Sequence, residues 1–514
     1  MLCALSQDAP YPKSRYNNGM KTTPKSHKND TKSHSSKLSF LAPLLSAFIF
    51  SLLTCLNLRT AMWFDESYSA YIIRGDFGQI WRMTAMDVHP PVYYFCLKVW
   101  SLIFGTSDFA LRSMSVFFGG IAIILAFFLL RRWFGEKAAA ISTFALSLAP
   151  ILIRYSQEMR MYAIVFAIVI GATYVLDIAL KSKKKLAWLF YALLICLGMW
   201  THYFTALAWL AHLGYIIYYF RKHGLQKTVF WAYPLAVILY LPWLPSFFNQ
   251  VKQVQSGFWI PPVDLATPFG FVSESLIYRN VSETQSWYVL LVLAVIVLTV
   301  YLLTKTLKQT TKDSRQNFIL LTTLTFAPPV LLMLLSFPPF QPTYVTRYVV
   351  YSASLLWVLI GLAIHWGKSF NKQKAAGLLA ILALVSATIG IVSVDSRDNS
   401  NDTRGIITAV KTISSNPSPI LVHVGAMDYY DLFFYETPEH PVYGIDIDFI
   451  WSSLEPIREY QQNYLEDSDE FIAEHDDFWI IVAADDDKEY TYEDFSISNT
   501  IKTDKFIATE YVKK

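Results

Sequence analysis

Long apolar stretches separated by short polar segments run through most of this sequence. A transmembrane helix needs about 20 consecutive apolar residues to cross roughly 30 Å of hydrocarbon, and about eleven stretches approach that length. They lie at residues 38–56, 110–131, 137–153, 161–180, 186–202, 203–220, 228–247, 287–305, 317–336, 347–366 and 375–394. Only 16% of the residues are charged, against about 25% in soluble domains. The sequence therefore predicts a polytopic α-helical membrane protein.

The positions of the basic residues predict how the chain is threaded through the membrane. One further apolar segment, 91–105, contains Lys98 and follows two prolines, which favours an interfacial helix over a span. If it does not cross, the basic clusters between the spans all lie on the side of the N-terminus, as the positive-inside rule requires. These clusters are Arg131 with Arg132, residues 181–185, Arg221 with Lys222, Lys305 with Lys308, and Lys368 with Lys372. The sequence thus predicts an N-in, C-out topology.

Composition divides the chain into three regions. Residues 1–37 carry lysines among Ser, Thr and Asn with no preceding apolar run, so we expect a disordered cytosolic tail and no cleaved signal peptide. Residues 38–394 contain all the predicted spans. Residues 395–514 contain strand-like runs at 420–424 and 478–484 between acidic, turn-rich segments. We expect this last region to form a small extracytoplasmic α/β domain.

The first predicted outer loop, residues 57–109, gathers acidic and imidazole side chains at the membrane surface. Asp65 and Glu66 follow the first span, and His89 precedes a pair of prolines. Such groups can move protons and bind anions. The alternative is that Asp65 caps a helix and Pro90 opens the next one.

The second predicted outer loop, residues 154–160, is short and unusually charged. It contains Arg154, Tyr155, Glu158 and Arg160 in seven residues. The arginines could simply snorkel at helix ends, and Glu158 could be their ion-pair partner. Glu158 could also reach Asp65 across a shared cavity.

Two later outer segments add polar residues to the same side of the membrane. His202 lies at the tip of a tight helical hairpin, where a plain loop histidine is the simpler reading. Tyr344 and Arg347 lie where the tenth span begins, and an arginine beside tyrosines suits a phosphate group. Four separate outer segments therefore supply candidate site residues.

Several motifs between residues 63 and 162 resemble a known enzyme family. They are WFDES, HPPVYY, IFGTSDFALRSMS, RRWFG and YSQEMRMYA. They are similar to motifs of the GT-C superfamily, specifically of the protein O-mannosyltransferases and the bacterial lipid A aminoarabinose transferases. The resemblance implies a GT-C fold, a polyprenyl- or dolichyl-phosphate sugar donor, and a site on the outer or lumenal face.

The resemblance also implies roles for individual residues. Asp65 and Glu66 match the acidic motif of the family's first outer loop, and Glu158 matches its second-loop acid. His89 stands where some relatives have a lysine near the donor phosphate. An imidazole, unlike a lysine, is not permanently charged at neutral pH.

We expect an inverting glycosyltransferase that moves a sugar, with a mannose-like hexose favoured, from a polyprenyl-phosphate donor to a hydroxyl on protein, lipid or cell-envelope glycan. The expected catalytic residues are Asp65 as the base, Glu66 in support, and Glu158, which could orient the acceptor, hold an arginine or join Asp65 at a divalent cation. We expect the donor phosphate to contact His89, Arg160, Arg347 and Tyr344, and the substrate to contact His202, Arg154 and Tyr155. No cofactor is expected to be obligatory, and a divalent cation stays open.

Other functions fit the sequence less well. A net charge of +3 gives no reason to expect nucleic acid. A transporter or a flippase of a lipid-linked sugar is the main alternative, but transporters place polar sites near the bilayer midplane, often within repeated halves. This sequence places its acids in predicted outer loops and has no visible repeat. A scaffolding membrane protein is the second alternative.

Overall fold

The computed structural model describes residues 32–514 apart from 57, 59, 183, 257–258, 280–284, 396–401, 415, 446, 448–462, 466–467 and 487–489. Most of the predicted tail, residues 1–31, lies outside the described residues. The first helix begins at Lys32, within the range predicted as tail.

The first part of the chain is helical throughout. Its helices are α1 (Lys32–Cys55), α2 (Phe64–Ile72), α3 (Phe77–Met86), α4 (Val92–Phe104), α5 (Asp108–Phe134), α6 (Glu136–Ser147), α7 (Pro150–Ser156), α8 (Tyr162–Ser182), α9 (Lys185–Thr201), α10 (Thr205–His223), α11 (Val229–Tyr240), α12 (Leu244–Ser256), α13 (Thr267–Ile277), α14 (Ser286–Leu307), α15 (Lys312–Leu334), α16 (Val350–Ser369) and α17 (Gln373–Asp395).

Many of these helices are long and apolar enough to cross a membrane. Seven such helices occur among the described residues, and the pair α6 and α7, bent by 59° at its break, would make an eighth. Proline opens α7 at Pro150, directly after the extended residue Ala149, which explains the break. Each of the eleven stretches predicted as spans is helical. The number of crossings and their orientation stay predictions.

The two helices that follow Arg160 and Arg347, α8 and α16, are deeply buried in the bundle. In the apolar stretch that includes α16, 94% of the residues are buried, and in α8 83% are, whereas α14 and α17 bury only 33%. Close contact holds the centre together, since a Cβ on Gly361 of α16 would lie 2.5 Å from Ser142 Cα in α6. Small residues permit such packing in membrane proteins.

The last part of the chain folds around a sheet, as the sequence predicts. Its elements are α18 (Asp402–Ile413), β1 (Ile420–His423), α19 (Ala426–Phe434), β2 (Val442–Ile445), β3 (Tyr464–Leu465), α20 (Ser468–Ala473), β4 (Asp477–Ala483), β5 (Phe495–Lys502) and β6 (Phe506–Lys513). The strand order is β3-β2-β1-β4-β6-β5. Strands β1 to β4 pair in parallel, and β6 is antiparallel to both β4 and β5. The buried runs of β1 and β4 suit inner strands covered on both faces.

One helix of this C-terminal domain packs directly on the helix that carries Asp65. The ring of Tyr430 in α19 lies 5.3–6.0 Å from the rings of Phe64, Tyr68 and Tyr71 in α2. The hydroxyl of Tyr435 accepts a hydrogen bond from the Met62 amide at 2.8 Å. The start of α2 is therefore fixed by contacts from both parts of the chain.

Candidate active site

Asp65 lies in the first turn of α2, and the helix begins before it. Trp63 is the N-cap residue, and its carbonyl accepts hydrogen bonds from the amides of Glu66 and Ser67. The capping interpretation of Asp65 therefore does not fit this helix, because a cap residue precedes the first turn. A carboxylate in the first turn also faces the positive end of the helix dipole.

The Asp65 carboxylate faces two arginines from distant parts of the sequence. Its Oδ2 lies 3.4 Å from Arg347 Nη1 and 3.9 Å from Arg160 Nη2. Arg160 is also tied to α2, because its Nη1 donates to the Asp65 carbonyl and to Ser69 Oγ, both at 3.1 Å. The Asp65 side chain has 19% of its surface exposed. A substrate can therefore contact this carboxylate, although the cluster around it is mostly buried.

His89 joins this cluster from the segment between α3 and α4. Its Nε2 lies 3.5 Å from Arg160 Nη2, and its Nδ1 lies 3.3 Å from Asp87 Oδ2. A carboxylate on one ring nitrogen orients the imidazole and leaves the other nitrogen facing the arginine. Asp65, His89, Arg160 and Arg347 therefore lie together, although they come from separate predicted outer segments.

Glu66, the neighbour of Asp65, has a different arginine. Both of its carboxylate oxygens accept hydrogen bonds from Arg112 of α5, and Oε1 also accepts one from the Met159 amide at 2.8 Å. Arg112 further donates to backbone carbonyls between α1 and α2, and both members of the pair are almost fully buried. This pair ties α2 to α5 and to the second loop, which makes Glu66 a positioning residue.

Glu158, in the second loop, forms an ion pair with Arg154, in the preceding helix α7. Burial raises the pKa of Glu158, and the adjacent Arg154 partly opposes this shift. Tyr155 lies beside the pair, with its ring 5.2 Å from that of Tyr162 and 6.3 Å from that of Tyr278. Of the two interpretations of Glu158, the structure shows the ion pair with an arginine of its own segment.

His202 lies close to the cluster, beside His89. Its ring is 6.1 Å from that of His89 and 5.2 Å from that of Tyr348. His202 is buried at the C-terminal end of α9, so a second imidazole packs against this cluster.

Aromatic rings surround the guanidinium of Arg347. It lies 5.0 Å from the ring centre of Trp259, 5.7 Å from that of Trp63 and 5.8 Å from that of Tyr348. Tyr344 lies nearby, with its hydroxyl 3.3 Å from Thr346 Oγ1. Such rings restrict the guanidinium to a narrow range of orientations.

Two cavities flank the cluster. The first, which we call the apolar cavity, has a volume of about 510 Å³ and is lined by His89, His202 and Tyr348 at one end and by side chains such as Leu210 and Phe247 elsewhere. The second, which we call the polar cavity, has a volume of about 440 Å³. It is lined by Tyr155, Trp259, Asp264, Glu274, Tyr344 and Arg347, among others. The ten predicted site residues thus divide between the cluster, its two cavities and the supporting ion pairs.

Sequence reasoning missed several residues of this arrangement. Arg112 lies in the motif IFGTSDFALRSMS. A lone arginine in an apolar span indicates that the arginine has a buried partner. Tyr348, Trp259 and Glu274 carried no comparable signal.

The described part of the chain contains no group of three or more His, Cys, Asp or Glu side chains that could hold a metal ion. Asp65 and Glu158, which we considered as a shared cation site, each face an arginine instead.

Known proteins resemble this chain in one sequence segment and in fold. Residues 88–245 match the family described as dolichyl-phosphate-mannose-protein mannosyltransferase. This segment includes His89, Glu158, Arg160 and His202, but not Asp65 or Arg347. No curated protein sequence matches the chain.

Two solved structures share the fold of this chain over most of its length. ArnT from Cupriavidus metallidurans, bound to undecaprenyl phosphate, superposes with a TM-score of 0.62 over 93% of this chain and 98% of its own, at 14% identity. The oligosaccharyltransferase of Archaeoglobus fulgidus, in a complex with Zn and sulfate, superposes with a TM-score of 0.51 over 86% of this chain and 68% of its own, at 13% identity. At such identities the likeness establishes the fold. Together with the matched segment, it confirms the resemblance predicted from the sequence: the chain resembles the GT-C membrane glycosyltransferases, among them the protein O-mannosyltransferases and aminoarabinose transferases.

Proposed function

We propose that this protein transfers a sugar, with a mannose-like hexose favoured, from a polyprenyl-phosphate donor to a hydroxyl group on a protein, lipid or cell-envelope glycan. The observation that carries the proposal is the Asp65 carboxylate, which lies 3.4 Å from Arg347 and 3.9 Å from Arg160. Arg347 lines the polar cavity, and Arg160 lies 3.5 Å from His89, which lines the apolar cavity. A base beside cations that connect it to two cavities suits a reaction between a lipid-linked donor and a separate acceptor.

Asp65 is the proposed base. Its carboxylate takes the proton of the acceptor hydroxyl as that oxygen attacks the anomeric carbon, a contribution typically worth about 100- to 10,000-fold. A single displacement inverts the anomeric configuration and needs no second carboxylate as nucleophile. This agrees with the engagement of Glu66 and Glu158 by Arg112 and Arg154.

Arg160, Arg347 and His89 are the proposed partners of the donor phosphate. As the glycosidic C–O bond breaks, the phosphate gains negative charge, and cationic donors in a partly desolvated site stabilise it more strongly than water does. Tyr344 is proposed to contact the same phosphate, and His202, Arg154 and Tyr155 are proposed to contact the substrate around this centre.

The apolar cavity is the proposed seat of the polyprenyl chain. Its wall includes Leu207, Leu210 and Phe247 together with His89 and His202. An apolar wall lets an isoprenoid chain leave the bilayer without exposing its surface to water. Its phosphate would then lie beside His89 and Arg160.

The proposed location is the cell membrane, with about eleven spans, the N-terminus inside, and the site and the C-terminal domain outside. The basic clusters between the spans support this orientation. That no cofactor is obligatory also stays a prediction.

Purified protein in proteoliposomes, supplied with radiolabelled polyprenyl-phosphate mannose and a cell-envelope extract, tests the proposal. We expect label to move to a new product while unlabelled polyprenyl phosphate is released. Movement of intact donor across the bilayer without a product would instead indicate a flippase.

A further inference from the structure

We propose that Asp87 is a positioning residue of the donor site: it fixes which nitrogen of the His89 ring carries a proton, and thereby the direction of Arg160. The inference rests on the proposed function, because it takes the donor phosphate as the ligand of His89 and Arg160. It adds a carboxylate that acts through these two residues without touching the phosphate.

Asp87 lies where a carboxylate does not suit the helix that it ends. It is the C-cap residue of α3, and its amide donates a hydrogen bond to the Met83 carbonyl at 3.1 Å. The C-terminal end of a helix is the negative end of its dipole, so an acid there is unfavourable. Asp87 is also only 8% exposed. A buried charge needs a partner, and Asp87 Oδ2 has one in His89 Nδ1 at 3.3 Å.

The partners of His89 decide which of its two nitrogens carries the proton. An ionised carboxylate only accepts hydrogen bonds, and a guanidinium only donates them. Nδ1, which faces Asp87, is therefore the donor, and Nε2, which lies 3.5 Å from Arg160 Nη2, is the acceptor. This assigns a neutral ring with its proton on Nδ1. Asp87, His89 and Arg160 thus form one chain of hydrogen bonds.

His89 completes the contacts that orient Arg160. The Nη1 of Arg160 donates to the Asp65 carbonyl and to Ser69 Oγ, both at 3.1 Å, and its Nη2 faces the His89 ring. His89 also lines the apolar cavity, the proposed seat of the polyprenyl chain. Arg160 is therefore held next to a residue of the cavity wall, where the donor phosphate is proposed to bind.

Binding of the donor phosphate should add a proton to His89. A phosphate oxygen accepts hydrogen bonds, so Nε2 can donate to it only after taking up a proton from the solvent. The Asp87 carboxylate on Nδ1 stabilises the resulting imidazolium, because an adjacent opposite charge favours the charged form. Arg160 opposes this charge, and the negative charge of the phosphate compensates for both cations.

The other charged and titratable groups nearby do not replace Asp87 in this role. The His89 ring faces one cation, Arg160, and a second imidazole, that of His202, 6.1 Å away. Asp65 lies on Arg160, at 3.9 Å. Tyrosines are neutral near pH 7, so Asp87 is the negative charge that contacts the ring within the described part of the chain. The tyrosines that interact with Asp87 are Tyr68 of α2, Tyr94 of α4 and Tyr203.

Titration calorimetry on the full chain in detergent tests the inference, with polyprenyl methyl phosphate as the probe. This diester carries one negative charge near neutral pH and no sugar, so a proton taken up on binding goes to the protein. A phosphate monoester, whose second pKa is about 6, would take up protons itself. Buffers with different ionisation enthalpies give the number of protons. We expect proton uptake by the parent and an affinity that rises as the pH falls through neutrality.

Asp87→Asn keeps an acceptor for Nδ1 but removes the charge. It should weaken binding of the probe about tenfold near neutral pH and reduce proton uptake, because the imidazolium loses an adjacent opposite charge. Its Tm should not fall, since Asn suits the end of a helix better than Asp does. His89→Lys should bind the probe without proton uptake, because a lysine already carries its charge at neutral pH.

Asp76→Asn, at the other end of α3, is the matched control and should leave affinity and proton uptake unchanged. Equal proton uptake in Asp87→Asn and the parent, or binding by the parent without uptake, would overturn the inference and leave the proposed function standing. The expected uptake in a protein that transfers no sugar would instead contradict the proposed function.

Discussion

Two adjacent acids of α2 have different environments. Asp65 is partly exposed between Arg347 and Arg160, whereas Glu66 is 1% exposed and held by Arg112. Removing one member of a buried ion pair typically costs about 3–5 kcal/mol. We therefore expect loss of Glu66 to act through the fold and loss of Asp65 to act at the proposed reacting centre.

Asp65→Asn should reduce turnover by at least about 100-fold, because the amide keeps the shape of the side chain but cannot take a proton. Expression and donor affinity should stay close to those of the parent. The measurement is initial rate against donor concentration, and Asp76→Asn, which replaces the capping residue of α3 by another good cap, serves as control. Full activity in Asp65→Asn together with an inactive Glu158→Gln would move the base to the second loop.

Arg160→Lys should weaken donor binding although the charge is kept. Two terminal nitrogens of Arg160 reach Ser69, the Asp65 carbonyl and the neighbourhood of His89. A lysine has one such nitrogen and cannot reproduce the planar fork. Titration with polyprenyl phosphate measures the effect. Unchanged affinity in both Arg160→Lys and Arg160→Ala would show that this arginine only anchors the loop.

Asp431 of α19 should make the stability of the protein depend on pH. Burial raises the pKa of Asp431 well above its ordinary range, and the nearby Ser67 hydroxyl partly opposes this. An acid whose pKa is raised by folding stabilises the fold fully below its unfolded pKa of about 3.9, and this contribution is lost as pH rises toward the folded value. Asp431→Asn should therefore flatten the fall of Tm with rising pH, as measured by thermal unfolding from pH 4 to 9. An identical slope in parent and variant would contradict this.

At the scale of elements, the contact between α19 and α2 links the C-terminal domain to the helix that carries Asp65. Tyr430 packs on three aromatic rings of α2, and Arg74 at the end of α2 pairs with Glu436 at 2.6 Å. A displacement of the reacting group by about 1 Å can cost 100-fold in rate. The domain therefore contributes to the geometry of the site.

Tyr430→Ala should accelerate amide hydrogen exchange in α2 and lower kcat about tenfold with little change in donor affinity. Met427→Ala, at an exposed position of the same helix, is the matched control. Exchange in α2 as slow as in the parent would show that the membrane-domain contacts alone hold this helix.

The sequence predicts the helices well but not their long-range partners. Hydrophobic length locates all eleven helical stretches because each is a local property of about 20 residues. The distribution of basic residues between the spans predicts that Asp65, His89, Arg160 and Arg347 lie on one side of the membrane. No local pattern pairs residues 64–72 with 426–434, because that contact depends on how two separate folding units pack.

The sequence suggested an ion pair between Glu158 and the arginines of its own loop, and Arg154 is the partner that the structure shows. The pairing of Glu66 with Arg112, 46 residues away, was beyond the sequence. The burial that separates these roles depends on the tertiary fold.

At the scale of the whole molecule, threading through the membrane is open to a direct test. A reporter fused after residue 107 should be read outside, and one within 181–185 inside, because basic clusters are retained in the cytosol. Alkaline phosphatase and green fluorescent protein fusions measure this, with a fusion at the C-terminus expected outside. The opposite pattern would invert the proposed face of the site.

The break between α6 and α7 sets the depth of the second loop. Seven residues of α-helix advance about 10 Å, but a bend of 59° reduces the advance along the axis of α6 to about 5 Å. The charged loop that follows therefore begins about 5 Å lower along that axis than it would after a straight helix. For the proposed lipid-linked donor, we expect the head group to descend by a similar distance to reach Arg160, so a longer α7 should raise the loop and weaken donor binding.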